Sequence, residues 1–144
     1  MFIVFDLDGT LANYEHRKGM LDKKNPDYDA FFAASKFDSP IYQAIELLKM
    51  LKCAQDVMPC QLEIWTGRSE GYDNAVRWET EKWLDRYGIY CPMRMRPYGD
   101  SRTGVELKLE YVDKYGKPDL VFEDDAKMVA MWRGMDVKCY QVDG

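Results

Sequence analysis

Short apolar runs that end in acidic or hydroxyl residues recur three times along the chain, separated by stretches with helical spacing. The first is Phe2-Ile3-Val4-Phe5-Asp6, a continuous run suited to a strand buried on both faces. Asp8-Gly9-Thr10 then breaks it. The second, Gln61 to Trp65, follows Pro59 and leads into Thr66-Gly67-Arg68. The third, Leu120-Val121-Phe122, leads into Glu123-Asp124-Asp125. Shorter strands are expected at Met93 to Arg96 and at Val137 to Val142.

Between these runs the apolar period changes from continuous to helical. Ile41, Ala44, Ile45, Leu48 and Leu51 predict a helix to Ala54, with Pro40 at its start. Asp73 to Tyr87 predicts another, inward through Ala75, Val76, Trp83, Leu84 and Tyr87 and closed by Gly88. Helices are also expected at about Val105 to Tyr115, after a Gly99-Asp100-Ser101-Arg102 turn, and at Lys127 to Arg133. Residues 11–39 lack a period, and a loop is expected there with at most a short helix around Phe31 to Ala34. Alternation of strand and helix predicts a doubly wound, Rossmann-like α/β fold: a mostly parallel sheet with helices on both faces. The whole of 1–144 is expected to be one domain. The 11–39 segment is an insertion near the site, too short for a large cap domain.

Composition narrows the chemistry. Hydrophobic residues make up 47% of the chain, enough for a packed core rather than a disordered segment. The net charge of -5 argues against a non-specific duplex binder, while leaving room for a nucleic-acid end held on a local basic face. The four cysteines show no C-x-x-C spacing and no signal peptide is evident, so reduced thiols in a cytoplasmic protein are expected. No apolar run approaches transmembrane length. His16 is the single histidine, which excludes a zinc site built from several histidines. With 25 Asp and Glu, metal chemistry here would use oxygen ligands, and Mg2+ fits best.

In open parallel sheets ligands bind beyond the carboxyl ends of the strands. That places Asp6, Asp8, Thr66, Arg68 and the Glu123-Asp124-Asp125 run around one crevice, where the acids would repel one another without a divalent cation. Asp6 can attack phosphorus in line, and Asp8 can act as general acid and then base. Thr10, Thr66 and neighbouring amides such as that of Gly67 can hold phosphate oxygens, while Lys108 can neutralise charge that builds in the transition state.

These segments resemble the haloacid dehalogenase (HAD) superfamily of phosphotransferases. Asp6-Leu7-Asp8-Gly9-Thr10 matches its D-x-D-G-T signature, Thr66 its second motif, Lys108 its third, and Glu123 to Asp125 its acidic fourth. The four occur in the family's order. A closer resemblance is to the 3′-phosphatase domain of phage polynucleotide kinase, carried by Arg17, Thr66-Gly67-Arg68, Gly99-Asp100-Ser101-Arg102 and the chain from Met131 to Val142. Gly104 stands where that domain has an acid, and its acid pair falls on Glu123-Asp124, leaving Asp125 where an arginine is expected. The kinase motif G-x-x-x-x-G-K-[ST] is absent.

The resemblance implies a Mg2+-dependent phosphomonoesterase with an aspartyl-phosphate on Asp6, acting as a polynucleotide 3′-phosphatase. The implied metal ligands are Asp6, Asp8 and Asp124, with Glu123 and Asp125 as alternatives. The implied substrate ligands are Arg17, Arg68, Arg96 and Arg102, on the backbone phosphates of the strand. Arg68→Ala is expected to impair turnover while leaving the thermal midpoint nearly unchanged. Each arginine also has a plain reading as a solvated surface residue. Trp65, Trp78, Trp83 and Trp132 read as core or half-buried helix face, and Tyr14 and Tyr72 lie near motif loops where they could stack on a base. The partner is expected to be a phosphorylated nucleic-acid end or nucleotide, with no membrane, a monomer or small homo-oligomer, and a separate kinase or ligase alongside. Two alternatives stay open: a nucleotidase or other small-molecule phosphatase, and a non-catalytic binding module with this fold.

Overall fold

The computed structural model describes residues 1–143. Its strands are β1 (Phe2–Phe5), β2 (Ala12–Asn13), β3 (Ser39–Pro40), β4 (Gln61–Ser69), β5 (Met93–Arg96), β6 (Leu120–Glu123) and β7 (Lys138–Gln141). Its helices are α1 (Glu15–Lys18), α2 (Tyr28–Ala33), α3 (Tyr42–Ala54), α4 (Ala75–Arg86), α5 (Gly104–Tyr115) and α6 (Ala126–Gly134). Five strands form one parallel sheet in the order β5-β4-β1-β6-β7. The chain builds outward from β1 through β4 to β5, then returns to β6 on the other side. This is the doubly wound α/β architecture, and no large cap is present among the described residues.

The period of two along the central strands sorts the core into two layers. Ile3 and Phe5 of β1, with Leu62 and Ile64 of β4, pack under Ile45 and Leu48 of α3 and Trp83 and Leu84 of α4. Val4, Trp65 and Val121 face the opposite way, against Leu107 and Tyr111 of α5 and Val129 and Trp132 of α6. Each such aliphatic or aromatic side chain, fully buried, contributes about 1.5–3 kcal/mol. Burial on both faces is why these strands read as continuous apolar runs rather than alternating ones.

Register sets the site. Phe5 pairs with Ile64 on one side and Phe122 on the other, so Asp6 comes out level with Trp65 and Glu123 at the carboxyl edge. The Asp6 amide continues the ladder by donating to the Phe122 carbonyl at 2.9 Å.

The structure departs from the sequence expectations at several places. β4 does not stop at Trp65 but runs through Thr66-Gly67-Arg68 to Ser69, with an irregularity against β5 between Trp65 and Ser69. The helix expected from Asp73 begins at Ala75, because Asp73 and Asn74 both take left-handed φ (52° and 58°). The 11–39 segment has more order than a loop: α1, α2, two 3-10 turns, and β2 and β3 paired antiparallel. Asp27 starts α2 by accepting from the Ala30 amide at 3.0 Å. Trp78 is 59% exposed rather than half-buried, lying under the Lys82 ammonium. The four cysteines are free thiols. No helix among the described residues is long and apolar enough to cross a membrane.

One acid lies inside the α5/α6 layer, away from the crevice. Glu63 of β4 accepts from the buried Trp65 indole at 2.7 Å and from Arg94 of β5 at 2.9 and 3.2 Å, and Arg94 covers the Tyr115 ring. Burial pushes the Glu63 carboxyl up, but the Arg94 and Trp65 hydrogen bonds outweigh it and hold it below the usual glutamate value. Its contribution is therefore present above that ordinary value and lost as pH falls through the lower folded one. Glu63→Gln should cost about 1–3 kcal/mol in urea unfolding at neutral pH. The gap from wild type should narrow in acid; a gap independent of pH would show that the ionised pair is not the cause.

Candidate active site

The turn after β1 is tied to its own carbonyls. Leu7 O accepts from the amides of Leu11 and Ala12 at 2.9 Å each, and the Gly9 amide donates to Ala12 O at 2.8 Å. Gly9 has φ +85°, and a Cβ there would lie 2.0 Å from Asp124 Oδ2. Asp124 therefore reaches the turn only because position 9 has no side chain.

Asp6, Glu123 and Asp124 each offer an oxygen, and these lie within 4.8 Å of one another. Lys108, from α5, donates to Asp6 Oδ1 and to Glu123 Oε2, both at 2.7 Å. Its helix starts with a capping box: Thr103 accepts from the Glu106 amide, and Glu106 accepts from the Thr103 amide. Three carboxylates thus face one ammonium. Burial, then the charge of Glu123, pushes Asp6 well above the usual carboxylate value; the same two causes push Asp124 up to about 7. Lys108 would be lowered by burial but is held raised by Asp6 and Glu123. Asp125 stands apart as the N-cap of α6, accepting from the Lys127 and Met128 amides at 2.8 and 3.1 Å.

The Asp8 carboxylate turns away from this group into a second one. Arg17 Nη2 donates to Asp8 Oδ1 at 2.6 Å, and Arg68 Nη2 donates to the same oxygen. Behind them lies Asp38, which accepts from Arg17 at 2.8 and 2.6 Å, from Arg68 at 3.1 Å, and pairs with His16 at 2.8 Å. Arg68 also donates to Thr80 of α4 at 3.0 Å, and the Arg17 guanidinium rests on the Phe31 ring. Burial alone would raise Asp8, but Arg68 and then Arg17 hold it below its ordinary value. Arg17 and Arg68 are 0% and 1% exposed, not surface residues. Two buried polar atoms in this neighbourhood, Arg17 Nη1 and Thr10 Oγ1, have no partner among the described residues.

The remaining candidates lie along β4 and β5. Thr66 is buried and its hydroxyl accepts from the Arg68 amide at 3.0 Å. The Gly67 carbonyl accepts from Arg96 Nε at 2.8 Å, and Arg96 Nη1 donates to the Asp100 and Arg102 carbonyls. Arg102 is engaged by two acids, Asp100 at 2.6 Å and Glu110.

A buried acid at a strand end, a lysine on it, a glycine turn and an acid pair from the neighbouring strand are now all in place. The model of the polynucleotide kinase PNKP phosphatase domain family matches residues 1–144. The chain belongs to that family. It is accordingly a phosphatase of the HAD type. A chain in a structure of the Pnkp1/Rnl/Hen1 complex superposes with a TM-score of 0.74 at 28% identity, covering 98% of this chain and 45% of that one. A chain in the structure of the Pnkp1/Rnl/Hen1 RNA repair complex gives 0.75 at 26% identity, covering 98% and 42%. This phosphatase thus spans less than half the length of those solved chains.

Sequence reasoning missed Asp38, Thr80 and the role of Phe31 in seating Arg17. Asp38 lies before Ser39-Pro40 in the aperiodic insertion, and no motif spacing singles it out. The capping box Thr103-x-x-Glu106 was legible and went unread.

Two outcomes follow from the charge balance. Arg68→Ala, which the sequence reading expected to spare stability, should cost about 3 kcal/mol, the low end for a broken buried pair because Arg17 still faces both acids. A wild-type thermal midpoint in that variant would contradict the burial described. Asp124 is raised to about 7 in the fold and Asp6 well above its ordinary value. Without metal, the stability Asp124 contributes should therefore be lost as pH rises from about 4 through about 7, with Asp6 acting in the same direction. A divalent cation such as magnesium, held by these carboxylates, would raise the midpoint more at about pH 8 than at about pH 5. Equal shifts at both would argue against these carboxylates as its site.

Proposed function

We propose that this phosphatase removes 3′-phosphates from nucleic-acid ends through a phosphoryl-enzyme on Asp6, with Mg2+ as cofactor. The observation that carries the mechanism is the Lys108 clamp on Asp6, which holds Oδ1 at the carboxyl edge of β1 at 2.7 Å. The substrate class rests on the family match and on the solved relatives, which are chains of an RNA repair complex.

Asp6, Glu123 and Asp124 fit a hard divalent cation, since they supply three close oxygen ligands and only one lysine opposes their charge. Magnesium bound there would offset the carboxylates and the phosphoryl oxygens together. In this reading the Asp8 carboxylate serves proton transfer rather than the metal, and Asp125 caps its helix.

In the first step an Asp6 carboxylate oxygen forms the bond to phosphorus while the bond from phosphorus to the leaving 3′ oxygen breaks. Asp8 protonates that oxygen. The arginines beside it favour its ionised form, but an arriving phosphate dianion adds like charge and raises its proton affinity. Once the alcohol has left, the ionised Asp8 takes a proton from water, which attacks phosphorus; the bond to Asp6 breaks and orthophosphate is released. Thr10 Oγ1 and Arg17 Nη1, buried and unpartnered, supply donors for the phosphoryl oxygens, and Thr66 and Gly67 line the same edge. Action beside a separate kinase or ligase is part of this proposal, supported by the relatives' setting in a complex.

Phosphate release with magnesium from a 3′-phosphorylated oligonucleotide should exceed that from its 5′ counterpart and from mononucleotides. Asp6→Asn and Asp8→Asn should each abolish it while the protein still folds. Equal release from mononucleotides would move the function to nucleotide metabolism; wild-type rates in either variant would sink the assigned roles.

A further inference from the structure

A cleft of about 540 Å³ lies between α2 and the loop from Gly99 to Gly104. We infer that this cleft seats the terminal nucleoside of the substrate, with its base stacked on the Tyr28 and Phe32 rings; this rests on the nucleic-acid reading above.

Two of its lining residues, Arg96 and Gly104, connect it to the elements that carry the phosphate site. Arg96, in its floor, donates to the carbonyl of Gly67, next to Thr66, and Gly104, at its rim, opens the helix that carries Lys108. On the other wall, Phe32 lines the cleft, and its buried neighbour Phe31 packs its ring on the Arg17 guanidinium at 4.5 Å. Tyr28 and Phe32 sit one helical turn apart on α2, with ring centroids 6.3 Å apart, and Tyr28 is 56% exposed. Phe32 is partly exposed, with Phe31 edge-on to it at 5.3 Å, and neither Tyr28 nor Phe32 belongs to the two core layers.

The charges in the cleft select the part of the substrate that enters it. Arg102 brings no net positive charge, because Asp100 and Glu110 both engage it. Arg96 directs Nε and Nη1 to three carbonyls and keeps its positive charge. Asp29 adds a further acid to the lining. With Arg96 and Arg102 set against Asp29 and Asp100, the lining has no net charge with which to attract a backbone phosphate, and a neutral base and sugar suit it. Recognition of the leaving group therefore falls to stacking, which tolerates any base because each has a π-face. The cleft volume lies within the range of small-molecule sites.

The test compares kcat/KM for three magnesium-supported substrates: a 3′-phosphorylated oligonucleotide, the same strand with an abasic terminal nucleotide, and glycerol 2-phosphate. Wild type should prefer the intact strand and lose about tenfold with the abasic one, the worth of one stacked base. In Tyr28→Ala, and in Phe32→Leu, which keeps bulk without a ring, the ratio of intact strand to glycerol 2-phosphate should fall by a similar factor. The abasic penalty should shrink in both. A wild-type preference that survives the abasic end and both substitutions overturns the inference alone. Wild type that hydrolyses glycerol 2-phosphate as well as any strand overturns the substrate reading and the inference with it.

Discussion

The Lys108 ammonium holds Asp6 and Glu123 together in a crevice that also contains Asp124, and most of the site follows from that imbalance. One cation cannot neutralise three carboxylates drawn out of water, so the group stays short of positive charge. The shortage appears as a raised proton affinity at Asp6 and Asp124. A few ångströms away the opposite arrangement holds, with Arg17 and Arg68 matched against Asp8 and Asp38. The two carboxylates of the D-x-D turn thus live in opposed fields, the condition under which neighbouring acids take different roles.

The fold exists around this separation. Parallel pairing of β1 with both β4 and β6 brings three strand ends to one edge, and the register puts Asp6 level with Glu123. The insertion between β1 and α3 supplies Arg17, Asp38 and the Phe31 ring, closing the balanced half of the site from above. The unbalanced half is built instead from sheet and α5, whose capped start fixes where Lys108 falls. The balanced half thus draws on the insertion as well as on β4 and the β1 turn, while the charge-deficient half comes from strand ends and α5.

The three apolar strands and the paired acids beyond them were legible because burial on both faces leaves a continuous run that polar residues must end. Asp6, Thr66 and Lys108, with Glu123 as an alternative ligand, were singled out by that logic and by motif order. Residues 11–39 were not, since order there comes from a capped turn at Asp27 and from ionic contacts between distant positions, which leave no period. The true extent of β4 was hidden for a related reason. Thr66-Gly67-Arg68 looks like a strand breaker, but Arg68 enters the interior because Asp8, Asp38 and Thr80 await it. A guanidinium buried by tertiary partners cannot be told from a solvated one by sequence pattern alone.

The claim on which the account turns is covalent chemistry at Asp6. The direct measurement is mass spectrometry of protein quenched in acid during turnover with magnesium and a 3′-phosphorylated oligonucleotide. The account predicts one added phosphoryl group on the peptide containing Asp6, absent from Asp6→Asn. Turnover with the phosphoryl group on another residue, such as Asp8, would contradict it.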